Sequence, residues 1–185
     1  MNLILFDDPV TWLNLHPFTL TRPTAKIRVG IRTIDEKWEY HLKLKPSYIT
    51  APYLSKKYPL TATDDNLMIN GSLCPDDHLL KAIEALETGE YLVQGDCVVA
   101  SRQTSANTEH LRDGKAISYS QPITTIDKTW KIFRHNAEQI RSDYGHITRG
   151  RTSNGIQDKY TRVYGEENIF VEEGVDIRAA IINAE

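Results

Sequence analysis

The sequence predicts an α/β protein with a mixed sheet, on three observations. Residues 3–6 (LILF) form a short apolar run that ends at an Asp-Asp-Pro turn, as expected of a buried strand. Thr33 and Glu36 form a capping box, after which apolar residues recur at helical spacing. The apolar runs 91–93 and 97–100 are separated by Gln-Gly-Asp, which is typical of a β-hairpin. A strand, a capped helix and a hairpin in one chain indicate an α/β fold.

The other elements of this fold follow from the same patterns. A helix is predicted after Pro75, with Asp76 or Asp77 as its N-cap and Gly89 beyond its end. Residues 101–122 are polar and weakly patterned. Strands are predicted over 47–50, 66–70 and 116–119, and short helical segments over 53–58 and 108–112.

The most regular helix of the sequence lies before residue 146. Its apolar residues follow a 3-4-3-4 spacing, which places them on one face of a helix: Trp130, Phe133, Ala137, Ile140 and Tyr144. Charged residues occupy the opposite face. We therefore expect the apolar face to pack in the core and the charged face to meet solvent.

The composition changes after this helix, and a period of six follows. Residues 146–161 are rich in small and polar residues, which predicts a boundary near 150–162. Apolar residues then recur every six positions, as in Ile169, Val175 and Ile181, which is typical of a parallel β-helix. The alternative is an edge hairpin over 169–182 with accidental spacing. We predict two domains, 1–160 and 161–185, and expect the chain to be part of a longer protein.

Length and composition exclude several classes of protein. The chain has 185 residues, a formal net charge of -3 and 40% hydrophobic residues, enough for one main core. The charge balance argues against a general nucleic-acid-binding protein. We find no signal peptide or membrane-spanning run, so a cytoplasmic protein without a membrane partner is expected. The two cysteines, Cys74 and Cys97, support neither a zinc site nor a disulfide framework.

Positive charge is concentrated in one short segment, residues 22–32, which we call the basic segment. Four cationic residues surround Gly30: Arg22, Lys26, Arg28 and Arg32. A loop between a strand and a capped helix favours anions, because free backbone N–H groups and the helix dipole both point there. Phosphate binding is therefore one interpretation of this segment. The other is that these side chains form surface ion pairs with the carboxylates of the chain.

Several segments together resemble one family. They are LILFDD, TRPTAKIRVGIRTIDEKW, LMINGSLCPD, TWKIFRHNAEQI with RSDYGHITRGR, and NIFVEEGVDIRAAIINAE. In these the chain resembles the bifunctional bacterial UDP-N-acetylglucosamine pyrophosphorylases and glucosamine-1-phosphate acetyltransferases, in a shortened and divergent form. The resemblance implies a three-layer, Rossmann-like nucleotidyltransferase domain with a mixed sheet, followed by the first strands of a left-handed β-helix. It also implies a homotrimer formed through the rest of that β-helix.

The resemblance implies Mg²⁺-dependent transfer of a nucleotidyl group from a nucleoside triphosphate, UTP or dTTP, to a hexose or hexosamine 1-phosphate. Because this reaction gathers two anionic substrates, the protein must position them and neutralise charge. The site residues implied are, for catalysis, Arg22 and Arg28; for substrate binding, Lys26, Gly30, Arg32, Asn70, Gly71 and Ser72; and for the metal, Asp7, Asp8 and Asn136.

The sequence departs from the family pattern at two places. Residues 6–20 contain no glycine, although the family has a glycine-rich loop after the first strand. Ser72 stands where the family has a magnesium-binding carboxylate, so Asp7 or Asp8, or Asp76 or Asp77, would have to compensate. The departures support an alternative function, in which a degenerate domain serves as a structural or regulatory platform for a β-helical acyltransferase.

Overall fold

The computed structural model describes all residues from Met1 to Glu185 and divides into two compact units, Met1–Asp143 and Tyr144–Glu185. The division lies within the helix Thr129–Thr148, earlier than the change in composition at 146–161. The domain limits 1–160 and 161–185 stay a prediction. None of the helices combines the length and the apolar character that a membrane crossing requires.

The first unit contains a six-stranded mixed sheet, which confirms the α/β class with a mixed sheet. Five neighbouring pairs make up this sheet, in the order β2-β1-β3-β5-β4-β6, and β5 alone is antiparallel to its neighbours. The strands are β1 (Asn2–Phe6), β2 (Pro46–Ile49), β3 (Asn66–Asn70), β4 (Glu90–Gln94), β5 (Cys97–Gln103) and β6 (Lys115–Ser118). The strands predicted over 47–50, 66–70 and 116–119 are each confirmed within one residue.

The central strands β1 and β3 are buried on both faces, which explains their continuous apolar sequence. Leu3 and Leu5 face one hydrophobic cluster, whereas Ile4 and Phe6 face another on the opposite side of the sheet. All four side chains are at most 3% exposed. The core therefore lies on both sides of β1 and β3.

Four helices accompany the sheet: α1 (Pro9–Asn14), α2 (Ile34–Leu42), α3 (Asp77–Glu84) and α4 (Thr129–Thr148). The capping box of α2 is present, with the Thr33 amide donating to the Glu36 carboxylate at 2.7 Å. Asp76 is the N-cap of α3, since its carboxylate accepts hydrogen bonds from the amides of His78 and Leu79.

Helix α4 forms as predicted, but its predicted inner face is wrong. Phe133 is 89% exposed and Trp130 is 54% exposed, whereas Gln139 and Asp143 are the buried residues of this helix. The reason is that polar contacts with the basic segment and α2 fix which face of α4 is buried, as described below. The apolar stripe therefore faces solvent.

One edge of the sheet brings several loops together. Because β1, β2 and β3 are parallel, their carboxyl ends meet at this edge, which we call the carboxyl edge. Strand β4 runs in the same direction, so the turn of the β4–β5 hairpin at Gly95 and Asp96 lies there as well. The predicted hairpin is thus confirmed, and it contributes its turn to this edge.

The second unit contains a two-stranded parallel sheet of β7 (Arg162–Tyr164) and β8 (Ile181–Asn183). The alternative of an edge hairpin over 169–182 is wrong, because β8 is the only strand that overlaps this range and it pairs in parallel with β7, which lies outside it. Of the column with period six, Val175 is 51% and Ile181 is 77% exposed. One parallel pair of strands does not by itself show a β-helix, which stays a prediction.

Candidate functional site

A cavity of about 330 Å³ opens at the carboxyl edge, and we call it the carboxyl-edge cavity. It is lined by the loop after β1, the end of β3, the start of β5 and a segment before β6: Phe6, Asp7, Asp8, Pro9, Asn70, Asp96, Cys97, Val98, Thr108, Glu109, Leu111 and Arg112. Strand β1 has β2 on one side and β3 on the other, so the order in which the chain adds strands across the sheet reverses between β1 and β3. Open α/β sheets bind ligands at such a reversal.

Asp7 is the most constrained carboxylate of the cavity. One of its oxygens accepts a hydrogen bond from the Thr24 amide at 2.8 Å, and the other accepts one from the Thr50 hydroxyl at 2.6 Å. Burial raises the pKa of Asp7 above its usual value, although these two hydrogen bonds act in the opposite direction. A carboxylate desolvated beside a cavity is a common feature of functional sites.

Asp8 has a simpler structural role beside its place in the cavity. Its side chain accepts a hydrogen bond from the Thr11 amide at 2.9 Å and so caps helix α1. The turn after β1 is therefore held by two adjacent carboxylates. One binds the returning loop at Thr24, and the other begins a helix.

Asn70, Gly71 and Ser72 form the turn after β3. The Asn70 side-chain oxygen accepts hydrogen bonds from the Ser72 amide at 3.1 Å and from its hydroxyl at 2.8 Å. Ser72 is 1% exposed, so its hydroxyl is used inside the protein. A Cβ at Gly71 would lie 3.2 Å from the Phe6 carbonyl oxygen, which explains the glycine by packing. Of the three, Asn70 lines the carboxyl-edge cavity.

Arg112 is the one cation of the cavity lining, and the sequence did not suggest it. Its guanidinium donates a hydrogen bond to the Asp96 carbonyl oxygen at 2.6 Å. Asp96, Glu109 and Arg112 come from the hairpin turn and from the weakly patterned segment 101–122. The sequence predicted the hairpin turn that contains Asp96, but only the pairing of the strands shows that this turn lies at the carboxyl edge.

The other groups of the cavity make its lining strongly acidic. The lining contains four carboxylates, those of Asp7, Asp8, Asp96 and Glu109, and a single arginine.

Cys97 also lines the cavity. Partial desolvation and the neighbouring Asp8 charge raise the pKa of the Cys97 thiol, so Cys97 is not an activated nucleophile. No three His, Cys, Asp or Glu side chains are grouped closely enough to form a metal site by themselves.

Arg22 is the only cation of the basic segment that stays free near the carboxyl edge. Its side chain is exposed and makes no ion pair or hydrogen bond. It lies two residues before Thr24, whose amide is bound to Asp7. This attachment keeps the backbone at Arg22 close to the end of β1.

Lys26 is taken up by an internal polar cluster. Its ammonium group forms a salt bridge with Asp35, a residue that is 1% exposed. Asp35 also accepts a hydrogen bond from the Tyr48 hydroxyl at 2.6 Å. Burial is the largest cause, and this hydrogen bond the second, that raises the pKa of Tyr48, so its hydroxyl remains a donor. Lys26 does not line the carboxyl-edge cavity.

Arg28 and Arg32 interact with helix α2. Arg28 lies 3.7 Å from the Glu36 carboxylate and donates to the Ile31 carbonyl oxygen. The Arg32 guanidinium lies 4.2 Å from the centroid of the Tyr40 ring, a cation–π contact. Neither residue lines the carboxyl-edge cavity. Arg28 thus forms a surface ion pair, as the alternative interpretation of the basic segment expects, whereas Arg32 contacts a ring.

Gly30 and Asn136 meet each other at the packing of α4. The Gly30 amide donates to the Asn136 side-chain oxygen at 2.8 Å. Gly30 has a φ of +85°, and a Cβ there would lie 2.6 Å from an Asp143 carboxylate oxygen and 2.8 Å from the Gln139 backbone. The structure therefore accounts for Gly30 by close packing, and Asn136 does not line the cavity that contains Asp7 and Asp8.

A buried ion pair completes this packing. The Lys37 ammonium lies 2.6 Å from the Asp143 carboxylate, and both side chains are at most 4% exposed. Asp143 also accepts hydrogen bonds from the amides of Ile31 at 2.9 Å and Arg32 at 3.0 Å. One carboxylate thus joins α2, α4 and the basic segment, which we call the Asp143 clasp.

The predicted site residues therefore separate into three groups. Asp7, Asp8 and Asn70 line the carboxyl-edge cavity, and Arg22 lies near it on the chain. Gly71 and Ser72 support the turn beneath it. The other five bind elsewhere. Lys26 pairs with Asp35, Arg28 and Arg32 contact side chains of α2, and Gly30 and Asn136 lie at the Asp143 clasp.

Comparison with known proteins gives a family match and a structural neighbour. A search of the curated proteins finds no match. Among solved structures, a chain assigned as a glucose-1-phosphate thymidylyltransferase from Bacillus anthracis, in complex with a sucrose, is similar over 76% of this chain and 95% of its own. The sequence identity is 10% and the TM-score is 0.45. The model of the sugar nucleotidyl transferase family matches residues 3–152. The chain belongs to the sugar nucleotidyl transferase family.

Proposed function

We propose that this chain transfers a nucleotidyl group from UTP or dTTP to a hexose or hexosamine 1-phosphate at the carboxyl-edge cavity. One observation carries the proposal: the cavity lies between the ends of β1 and β3, where the chain direction across the sheet reverses. Membership of the sugar nucleotidyl transferase family supports the class of reaction.

The reaction is a displacement at phosphorus. A phosphate oxygen of the sugar 1-phosphate attacks the α-phosphorus of the triphosphate, and a new P–O bond forms. The bond from the α-phosphorus to the oxygen that bridges to the β-phosphorus breaks, and pyrophosphate leaves with that electron pair. Such a transfer needs positioning and charge neutralisation more than covalent help from the protein.

Arg112 and Arg22 are the side chains that we expect to bind phosphate oxygens. Arg112 is held in the cavity lining by the Asp96 carbonyl oxygen, which limits the entropy lost when it binds an anion. Arg22 has no internal partner and lies two residues before Thr24, whose amide is bound to Asp7. Asn70 adds a fixed polar side chain at the end of β3.

The acidic lining fits a divalent cation that arrives with the nucleotide. Mg²⁺ is commonly bound through one or two carboxylates together with substrate phosphates, so a cluster of three protein ligands is not needed. Asp7 and Asp8 would hold it, and its charge would then offset both the carboxylates and the phosphates. Without a cation, four carboxylates would repel a triphosphate.

A second candidate function has its own support in the turn after β3. Ser72 is buried and donates its hydroxyl to Asn70, so this turn offers no carboxylate to a metal. On this proposal the domain is catalytically degenerate and serves as a platform for a left-handed β-helical acyltransferase. That β-helix would continue residues 161–185 and form a homotrimer.

Thermal shift and pyrophosphate release together separate the two functions. We expect UTP or dTTP with Mg²⁺ to raise Tm, because a ligand that binds the native state stabilises it. Pyrophosphate should then appear on addition of glucose 1-phosphate or glucosamine 1-phosphate. Arg112→Ala and Arg22→Ala should reduce both signals, whereas Arg141→Ala, an exposed arginine on α4, should keep them. Binding without pyrophosphate release would favour the platform, and no shift with any nucleotide would exclude the transferase.

A further inference from the structure

A second cavity, of about 630 Å³, lies beside the outermost strand β2, at the amino ends of β1 and β2 and thus opposite the carboxyl edge. Asn2 and Pro46 line it, and these residues begin β1 and β2. The carboxyl-edge cavity, by contrast, lies where β1 and β3 end. We call the second one the β2-edge cavity. Its volume is within the usual range for small-molecule sites, and it shares no lining residue with the first.

Three lysines from separate parts of the chain line the β2-edge cavity: Lys26, Lys45 and Lys57. Asp35 neutralises Lys26, but Lys45 and Lys57 are exposed and make no salt bridge. Glu39 is the other carboxylate of the lining. Two ammonium groups therefore remain available to an anion at one cavity.

Two tyrosine rings form the wall between these lysines. The rings of Tyr48 and Tyr58 meet edge to face with centroids 5.7 Å apart. Lys26 lies 5.5 Å from the centroid of Tyr48, and Lys57 lies 5.3 Å from that of Tyr58. The hydrogen bond from the Tyr48 hydroxyl to Asp35 fixes the first ring. The wall thus offers aromatic surface next to positive charge.

Hydrogen bonds join the two backbone segments around the cavity. The chain after Lys57 runs along the free edge of β2, where the Tyr48 amide donates to the Pro59 carbonyl oxygen at 3.4 Å. The Ser47 hydroxyl donates to the Thr61 carbonyl oxygen at 3.2 Å. These bonds attach the chain after Tyr58 to the edge strand β2, which follows Lys45 in the sequence. Lys45, Lys57 and Tyr58 therefore line one cavity from two segments that are bonded to each other.

We propose that the β2-edge cavity is a second ligand site, which takes a phosphate monoester attached to a ring. Lys45 and Lys57 bind the phosphate, since lysines recognise phosphate as point charges. The ring of the ligand packs on Tyr58. A sugar phosphate and a nucleoside monophosphate both have this chemistry. The proposal concerns binding at the amino end of the sheet and does not depend on transferase activity.

Calorimetric titration of the whole chain with AMP, glucose 6-phosphate and inorganic phosphate tests the site. We expect AMP or glucose 6-phosphate to bind more tightly than inorganic phosphate, and the better of the two identifies the source of the ring. Equal binding of all three would contradict the role of Tyr58. No binding of any of them at millimolar concentration would overturn the site.

Charge variants locate the binding. Lys45→Gln and Lys57→Gln should each raise Kd about tenfold, the effect of losing a charge-assisted contact. Lys56→Gln is the matched control, because Lys56 is an exposed neighbour that does not line the cavity. Arg112→Ala should leave Kd unchanged. Loss of binding in Arg112→Ala, or an equal effect of Lys56→Gln, would place the ligand elsewhere and refute the proposal.

Discussion

The basic segment and the carboxyl-edge cavity show opposite relations between charge and function. The basic segment is rich in cations, yet three of its four cationic side chains are engaged within the protein, at Asp35, Glu36 and Tyr40. The carboxyl-edge cavity has one cation and four carboxylates, and it lies where an α/β sheet binds ligands. Charge density along a sequence therefore indicates a ligand only where the charged side chains lack partners within the protein.

The largest expected effect is at the Asp143 clasp, which holds the basic segment in place. Lys37→Met leaves the buried Asp143 carboxylate without its counter-ion, and we expect a loss of about 3–5 kcal/mol in the free energy of unfolding. In a chain of this size Tm falls by about 10 °C. Differential scanning calorimetry measures it. The control is Lys115→Met, because the Lys115 side chain is 72% exposed in its pair with Glu90 and its loss should hardly move Tm.

Gly30→Ala should have the next largest effect and should show that this glycine serves packing. The new methyl group would meet Asp143 and the Gln139 backbone, and a φ of +85° is unfavourable for alanine. We expect a loss of about 3 kcal/mol, measured by chemical denaturation. Gly89→Ala has a φ of +86° but nothing within 4 Å of the new Cβ, so it should lose about 1 kcal/mol. Equal losses in the two variants would contradict the packing argument.

Asp7→Asn should raise the stability of the protein at neutral pH, in contrast to the two variants above. Such a gain would mark the carboxyl-edge cavity as the functional region. Burial raises the pKa of Asp7, so the native state favours its protonated form. Below the ordinary value of 3.8 the variant and the wild type should be equally stable. As the pH rises from 3.8 through the raised pKa, the wild type loses stability relative to the variant, so the variant should be the more stable protein at pH 7.

The same variant should lose nucleotidyl transfer, because it removes a carboxylate that we assign to Mg²⁺. Stability gained together with activity lost is characteristic of a functional residue. Unfolding curves from pH 3 to 8 and pyrophosphate release measure the two properties. A less stable Asp7→Asn protein at pH 7 would show that the Thr24 and Thr50 hydrogen bonds outweigh the desolvated charge.

Arg28→Ala should have the smallest effect and gives the most direct comparison of the two regions. The Arg28 side chain is 57% exposed in its contact with Glu36, so we expect a change of about 0–0.5 kcal/mol in stability. Nucleotide-induced thermal shift should be the same as in the wild type, in contrast to Arg22→Ala. A lost shift in Arg28→Ala would restore the interpretation of the basic segment as a phosphate site.

Local sequence signals predicted most elements of the fold. The apolar run of β1, the capping box of α2 and the hairpin of β4 and β5 each depend on contacts between residues close in sequence. The 3-4-3-4 spacing likewise predicted that α4 is a helix. It could not predict which face is buried, because Asn136, Gln139 and Asp143 pack there through partners about a hundred residues earlier.

The candidate site could be predicted only in part for the same reason. Asp7 and Asp8 were proposed as metal ligands because Ser72 stands where the resembled family has a carboxylate, and both line the cavity. Glu109 and Arg112 belong to a segment without a clear period, and their place in the cavity depends on the order of the strands. No local pattern specifies that order.

Short-range periodicity and capping are enough to specify an α/β chain with a strand, a capped helix and a hairpin in that order. Which charges are free depends instead on the folded arrangement. Lys26 and Arg28 differ from Arg22 because folding brings carboxylates within reach of them, and carboxylates from three separate segments line one cavity. Ion pairing falls off over a few ångströms, so it depends on distances in the folded chain and not on spacing along it.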